Sequence, residues 1–357
     1  MKNEILTERI LSEENAHSVG QLFEIYNSLH FIYAAKMEKL APVFDTVKQN
    51  WAKAVKQSFP LFSTISVREN YKNIVATTTQ WQYLNNGLIG QHLASNNPVG
   101  SRIVFLASLD RMIKEQHKGC VESYQIYYRP QNKYSSRMFG GVSVTMGKEL
   151  SEIIPYNYFE VPFLQYTQTK DVEVVEINNS NDTGFINFIE TEKGQLFIKA
   201  QELDSCDINL TALNERFKKC GLKRTRKIFA AKRSSDSSIC GVIIINQSSL
   251  GLNFSFFENS SDLILGKGLC PILLLQAAQA LLYKASQLNL QSPLTFLPVL
   301  TDPLHTSIIE SLQGKLTRNY NLFMMLRGGY KGWYNYIDEL TKPVYQRFIL
   351  NNYEKSI

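Results

Sequence analysis

The stretch "DLILGKGLCPILLLQAAQALL", Asp262–Leu282, sets a Gly-Lys-Gly turn between a short apolar run and a long apolar segment. Glycines let a backbone come close to a phosphate, and the free amides at a helix start point towards it. The same residues also suit a plain tight turn ahead of a buried helix. Gly266, Lys267, Gly268 and Leu269 are the candidate phosphate-binding residues, with Lys267 adding a mobile positive charge. Pro271 removes one amide just inside the helix, where proline is favoured on structural grounds alone.

Upstream, "RKIFAAKRSSDSSICGVIIIN" (Arg226–Asn246) reads as a hairpin and "SSLGLNFSFFENS" (Ser248–Ser260) as a third strand. Downstream, "LTFLPVLTDP" (Leu294–Pro303) is a strand and turn. The first half has the same order. There, Ser95–Cys120 gives a polar loop and a helix stopping at Gly119, and Val121–Asn132 gives a strand. Gly100 to Pro130 and Gly268 to Pro298 are both thirty residues apart, which suggests a duplicated architecture. Before the first copy, Val19–Phe59 carries two amphipathic helices divided at Pro42, and Leu61–Val67 and Asn73–Trp81 suit strands. Between the copies, Glu176–Gly184 is a polar linker. A strand pair follows it, then a helix capped by Asn209 or Thr211 and stopped at Gly221. The expected fold class is α/β (α+β), two domains that each carry a mixed sheet flanked by helices. The expected bounds are 1–170 and 185–345, with a tail at 346–357.

A hairpin, a third strand, a glycine loop and a long helix together resemble the opening of an acetyltransferase of the GNAT superfamily. That family's cofactor loop has Gln or Arg, two residues, Gly, any residue, then Gly or Ala. Gly266, Lys267 and Gly268 match its glycine part, whereas Leu263 stands in the Gln/Arg slot. Thr301 and Asp302 fall near the family's polar turn. The resemblance covers about Lys227–Arg327, and Ile74–Leu150 by topology only, so it implies a tandem of GNAT-like domains with a degenerate first copy. It further implies acetyl-CoA or another acyl-CoA as substrate at Gly266–Leu269, a small-molecule or peptide amine as acceptor, and acyl transfer to that amine. A GNAT-derived binding or regulatory protein without turnover, acting on a protein partner, is the second reading.

Such a transfer needs a proton acceptor for the amine and a weak acid for the leaving thiolate. Glu258 is the candidate acceptor by chain order, with an exposed turn acid as its plain alternative. Tyr320 is the candidate acid, since the helix region "DPLHTSIIESLQGK" has no tyrosine. Cys270 reads as a buried thiol at a helix start, and His305 as a surface or packing residue. Arg102 would cap its helix or take a phosphate. The run "RFKKCGLKRTRK", Arg216–Lys227, reads as a solvated face or an anion-docking patch.

Composition narrows the classes. The net charge of +6 on 357 residues permits acidic ligands without indicating nucleic acid. Five scattered cysteines without a C-x-x-C pair suit reduced thiols rather than a metal site. The start lacks a secretory apolar core and no run is long enough to span a bilayer, so a cytoplasmic location without a membrane span is expected.

Overall fold

The computed structural model describes residues 13–14, 19–55, 61–69, 74–116, 121–165, 171–290 and 292–354. The described residues begin with β1 (Glu13–Glu14), α1 (Val19–Ser28), α2 (Ala34–Leu40) and α3 (Phe44–Val55). Strands β2 (Phe62–Glu69), β3 (Ile74–Gln82) and β4 (Gly87–Ser95) lead into α4 (Pro98–Gln116), β5 (Ser123–Tyr128), α5 (Lys133–Met146) and β6 (Ser151–Val161). Next come β7 (Val172–Ile177), α6 (Thr183–Lys193), α7 (Gln195–Ala200), α8 (Thr211–Lys218), β8 (Arg224–Arg233) and β9 (Ile239–Ser248). The last elements are β10 (Ser261–Leu265), α9 (Pro271–Asn289), β11 (Leu297–Thr301), α10 (Thr306–Ser311), β12 (Lys315–Leu326) and α11 (Tyr330–Glu354). This is a mixed α/β architecture, and no helix among the described residues is long and apolar enough to cross a membrane.

Two compact units divide these elements: residues up to Ile126 with Gly141–Ser151 and Met325 onward, and Tyr127–Gly140 with Glu152–Met324. In the first, β1 to β4 form an antiparallel run and β5 joins β4 in parallel. Ile65, Val67, Ile74 and Ala76 of its sheet pack with Val99, Ile103 and Val104 of α4, and Tyr345 and Phe348 of α11 close over them. In the second, the strand order is β12-β6-β11-β10-β9-β8-β7. Its parallel pair β10 and β11 is joined through the crossover helix α9, as parallel neighbours require.

Strand alternation gives the second sheet two different faces. Phe159, Val161, Ile243, Ile245, Leu263, Leu265, Leu297 and Val299 pack in one apolar cluster with Leu273, Ala277, Ala278 and Leu281 of α9. Asp262, one residue out of phase, belongs to the other face, where Leu300 and then Tyr158 lie across the register.

Several sequence expectations are corrected. Val19–Val55 holds three helices rather than two, with breaks at 29–33 and at a 3-10 turn, Ala41–Val43, that contains Pro42. The remainder of that stretch and the stop at Gly119 lie outside the described residues. The strand pair expected after Gly184 is instead α6 and α7, because Asp182 caps Phe185 N–H at 3.0 Å and Gly194, at φ +83°, separates the two helices. Helix α8 is capped neither by Asn209 nor by Thr211. Both oxygens of Asp207 accept from Thr211 and Ala212, at 2.8 and 2.9 Å. Ser249–Ser260 is a loop, and the strand is the short β10 that follows. Gly100 lies inside α4, Gly268 ahead of α9, and Pro298 inside β11, so the thirty-residue spacing does not mark equivalent positions.

Candidate active site

The Gly-Lys-Gly loop leaves β10 and enters α9. Gly266 N–H donates to the Cys240 carbonyl at 2.9 Å, and a Cβ there would meet Leu269 at 3.0 Å and that carbonyl at 3.3 Å. A side chain at 266 would therefore fit only if these neighbours shifted by a few tenths of an ångström. Gly268 has φ +77°, and a Cβ there would meet nothing within 4 Å. It is exposed, Leu269 is half-buried against the core, and Cys270, expected to be buried, is an exposed thiol. Cys270 holds the N-cap position without a side-chain cap, and Pro271 is the first helical residue. The helix start thus offers amides not capped by a side chain.

One amide of the loop is already used. Lys267 N–H donates to Glu192 Oε1 at 2.9 Å, and Lys267 Nζ lies 3.3 Å from the Glu192 carbonyl and 3.8 Å from Oε2. Lys267 is therefore paired rather than free, with a carboxylate where an anionic ligand would compete for it.

Beside this loop lies a buried polar cluster that the sequence did not reveal. Tyr156 donates its hydroxyl to Asp262 Oδ2 at 3.0 Å, and Lys193 Nζ sits 4.3 Å from the centroid of the Tyr156 ring. Lys193, Asp262 and His305 are 7%, 6% and 5% exposed. Among the described residues, Lys193 Nζ, Asp262 Oδ1 and His305 Nε2 have no hydrogen-bond partner. Burial pushes the Asp262 carboxyl up to about 6, against the opposing pull of Lys193 and the Tyr156 hydroxyl. Burial draws the Lys193 ammonium down, with Asp262 and Asp302 resisting. It also draws His305 down, although Asp302 and a hydrogen bond to the Leu265 backbone favour the cation. Its Nε2 has no hydrogen-bond partner, so a neutral ring protonated at Nδ1 would offer that lone pair. His305 is thus buried, which excludes the surface alternative. The available signal was the acid Asp262 inside the apolar run "SDLIL", since a charged residue in a short buried strand needs a partner.

Phe257, the chain neighbour of Glu258, links that residue to Tyr320. Glu258 is fully buried, not an exposed turn acid, and burial pushes its carboxyl up to about 7. Its oxygens accept from Gly251 N–H at 2.5 Å and Asn253 N–H at 3.2 Å, so the carboxyl holds the loop ahead of β10. Its neighbour Phe257 stacks on Tyr127 at 4.3 Å and meets Tyr320 edge-on at 4.9 Å. Tyr320 Oη lies 3.4 Å from both Ser255 Oγ and an Arg318 nitrogen. Tyr158 donates to the Ser255 carbonyl at 3.1 Å.

The remaining candidates make contacts within the fold. Arg102 bonds Asp338 and lies 4.8 Å over the Tyr345 ring. Arg224 and Arg226, read as part of a solvated or docking patch, are buried. Arg224 bonds the Glu258 carbonyl and Asn246 Oδ1, while Arg226 bonds the carbonyls of Ile208, Gln201 and Glu202. Thr301 bonds the Leu263 carbonyl, and Asp302 caps Leu304.

No family model matches the chain, and no curated protein matches it. Among solved structures it is similar to a GCN5-related N-acetyltransferase from Sphaerobacter thermophilus, at 8% identity over 88% of this chain and 95% of that one, TM-score 0.42. It is also similar to a tandem GNAT protein from the clavulanic acid biosynthesis pathway, at 9% identity over 88% and 98%, TM-score 0.39. A third similar structure is a GCN5-related N-acetyltransferase from Kribbella flavida, at 11% identity over 88% and 71%, TM-score 0.35. Structures similar to this chain thus include GNAT acetyltransferases, one of them a tandem protein.

Proposed function

We propose that the chain is an acyl-CoA-dependent N-acyltransferase of GNAT type, with tandem GNAT-like domains and its working site in the second. The observation that carries this reading is a juxtaposition. An open helix start after Gly266–Lys267–Gly268, uncapped by side chains, lies next to buried Lys193, Asp262 and His305, each with an unpartnered polar atom. The open space at Gly268 and the amides there fit a pyrophosphate, and Leu269 would flank it. An acyl-CoA would supply a thioester already activated for attack.

The chain's own groups suit the proton transfers. An acceptor amine must lose a proton to attack, and neutral His305, with Nε2 unpartnered, can take it. Asp262 can hold the amine while it is still cationic. Tyr320 remains the proton donor proposed for the departing thiolate, and Glu258 positions the loop that carries Ser255 and Phe257 around it. The test is thiol release from acetyl-CoA in the presence of an amine panel. Turnover lost in His305→Gln with acetyl-CoA binding retained supports the assignment.

A second reading, a GNAT-derived binding protein without turnover that acts through a protein partner, is favoured by Glu192, which takes the Lys267 amide. Binding of acetyl-CoA without thiol release on any amine, or no binding at all, would favour it.

A further inference from the structure

We propose that Lys193 and Asp262 form a recognition site for a small zwitterion, an α-amino acid, whose carboxylate meets Lys193 and whose ammonium meets Asp262. The proposal rests on the transferase reading in one respect, that this zwitterion is the acyl acceptor.

Three facts carry it. Groups of opposite charge are buried at the same place, and both use Tyr156: Lys193 lies over its ring and Asp262 accepts its hydroxyl. Each keeps an unsatisfied atom, Nζ on one and Oδ1 on the other, so one is left as a donor and the other as an acceptor. A buried polar atom without a partner costs roughly 1–3 kcal/mol, and more when charged, so such a pair persists where something completes it. A ligand with one anionic and one cationic group a few bonds apart satisfies both at once, whereas a simple amine leaves Lys193 unpaired. His305 Nε2 and Glu192 Oε2, whose residues both act on Lys193, are further unpartnered atoms, and His305 Nε2 is the proton acceptor proposed for the ammonium. The other charged groups coupled to Lys193 are Asp302, Lys267 and Glu192. Glu192 Oε1 is committed to the Lys267 amide and its Oε2, which has no hydrogen-bond partner, lies 3.8 Å from Lys267 Nζ, while Asp302 caps the Leu304 amide; Asp262 is the acid that shares Tyr156 with Lys193.

The test uses the purified full chain without acyl-CoA and ligand-detected saturation-transfer NMR with each of the twenty standard amino acids. The tightest binder is then compared with its methyl ester, which lacks the carboxylate, and its N-acetyl derivative, which lacks the ammonium. The zwitterion is expected to bind at least tenfold tighter than either. Lys193→Met should abolish the preference over the ester and keep that over the N-acetyl form, and Asp262→Asn should do the reverse. If a variant does not fold, the wild-type comparison alone still decides. Absence of binding by every amino acid, or equal binding of acid and ester, overturns the proposal and leaves the cluster as one bridged by internal water. A separate titration with acetyl-CoA distinguishes this failure from failure of the transferase reading, because the two ligands are measured apart.

Discussion

The Glu192 carboxylate accepts the backbone N–H of Lys267 at 2.9 Å, so the loop before α9 already carries an internal anion. A phosphate arriving there would meet like charge and a donor already taken. Glu192→Gln keeps an acceptor for the amide and removes the charge. It should tighten acetyl-CoA binding about fivefold, the equivalent of roughly 1 kcal/mol for one partly screened charge. Calorimetry on the two proteins at one salt concentration measures it, and an unchanged affinity would mean that Glu192 stands apart from the ligand.

Glu258 and Asp262 make stability fall as pH rises. Each has a folded carboxyl above its ordinary value, at about 7 and about 6, with burial as the main cause. Such a group favours the fold while protonated. Its contribution is complete below the ordinary carboxylate range and is lost as pH climbs through the folded value. For Glu258 the difference is roughly 3 kcal/mol between acid and mildly alkaline solution. Urea denaturation across pH 4.5 to 8 should show Glu258→Gln with a flatter profile than the native chain, and Asp262→Asn flattened mainly below about pH 6.

Arg226 gives a prediction opposite to that of a surface patch. Its guanidinium is buried on the carbonyls of Ile208, Gln201 and Glu202. Arg226→Met leaves these acceptors unpaired and should lower stability by roughly 3 kcal/mol. Lys219→Met in the same basic run should change it by less than about 0.5 kcal/mol, as for an ordinary surface substitution. Thermal and urea melts of the two variants check this.

What the sequence revealed was mostly local. The β8–β9 hairpin, helix α9 and β11 follow from residue periodicity and turn chemistry within one segment. The Ser249–Ser260 loop escaped because its aromatic residues look like strand, while the carboxyl of Glu258 turns the backbone back on itself through Gly251 and Asn253. The cluster of Tyr156, Lys193, Asp262 and His305 escaped for a different reason. Its members come from four separated segments, and only the insertion of β6 beside β11 brings Tyr156 to Asp262. The burial of Arg224 and Arg226 is not legible in the sequence, because a run of like charges gives no sign of which members alternate inward along a strand.

The central claim is that the loop at Gly266–Gly268 holds an acyl-CoA. Calorimetric titration of the native chain, Gly268→Ala and Gly268→Glu with acetyl-CoA tests it most directly. Both variants bear the same left-handed backbone cost at φ +77°, and a Cβ has free space there, so they differ only in bulk and charge. Micromolar binding by the native chain, kept in Gly268→Ala and lost in Gly268→Glu, is the predicted result. No binding by the native chain, or equal binding by all three, would contradict the account.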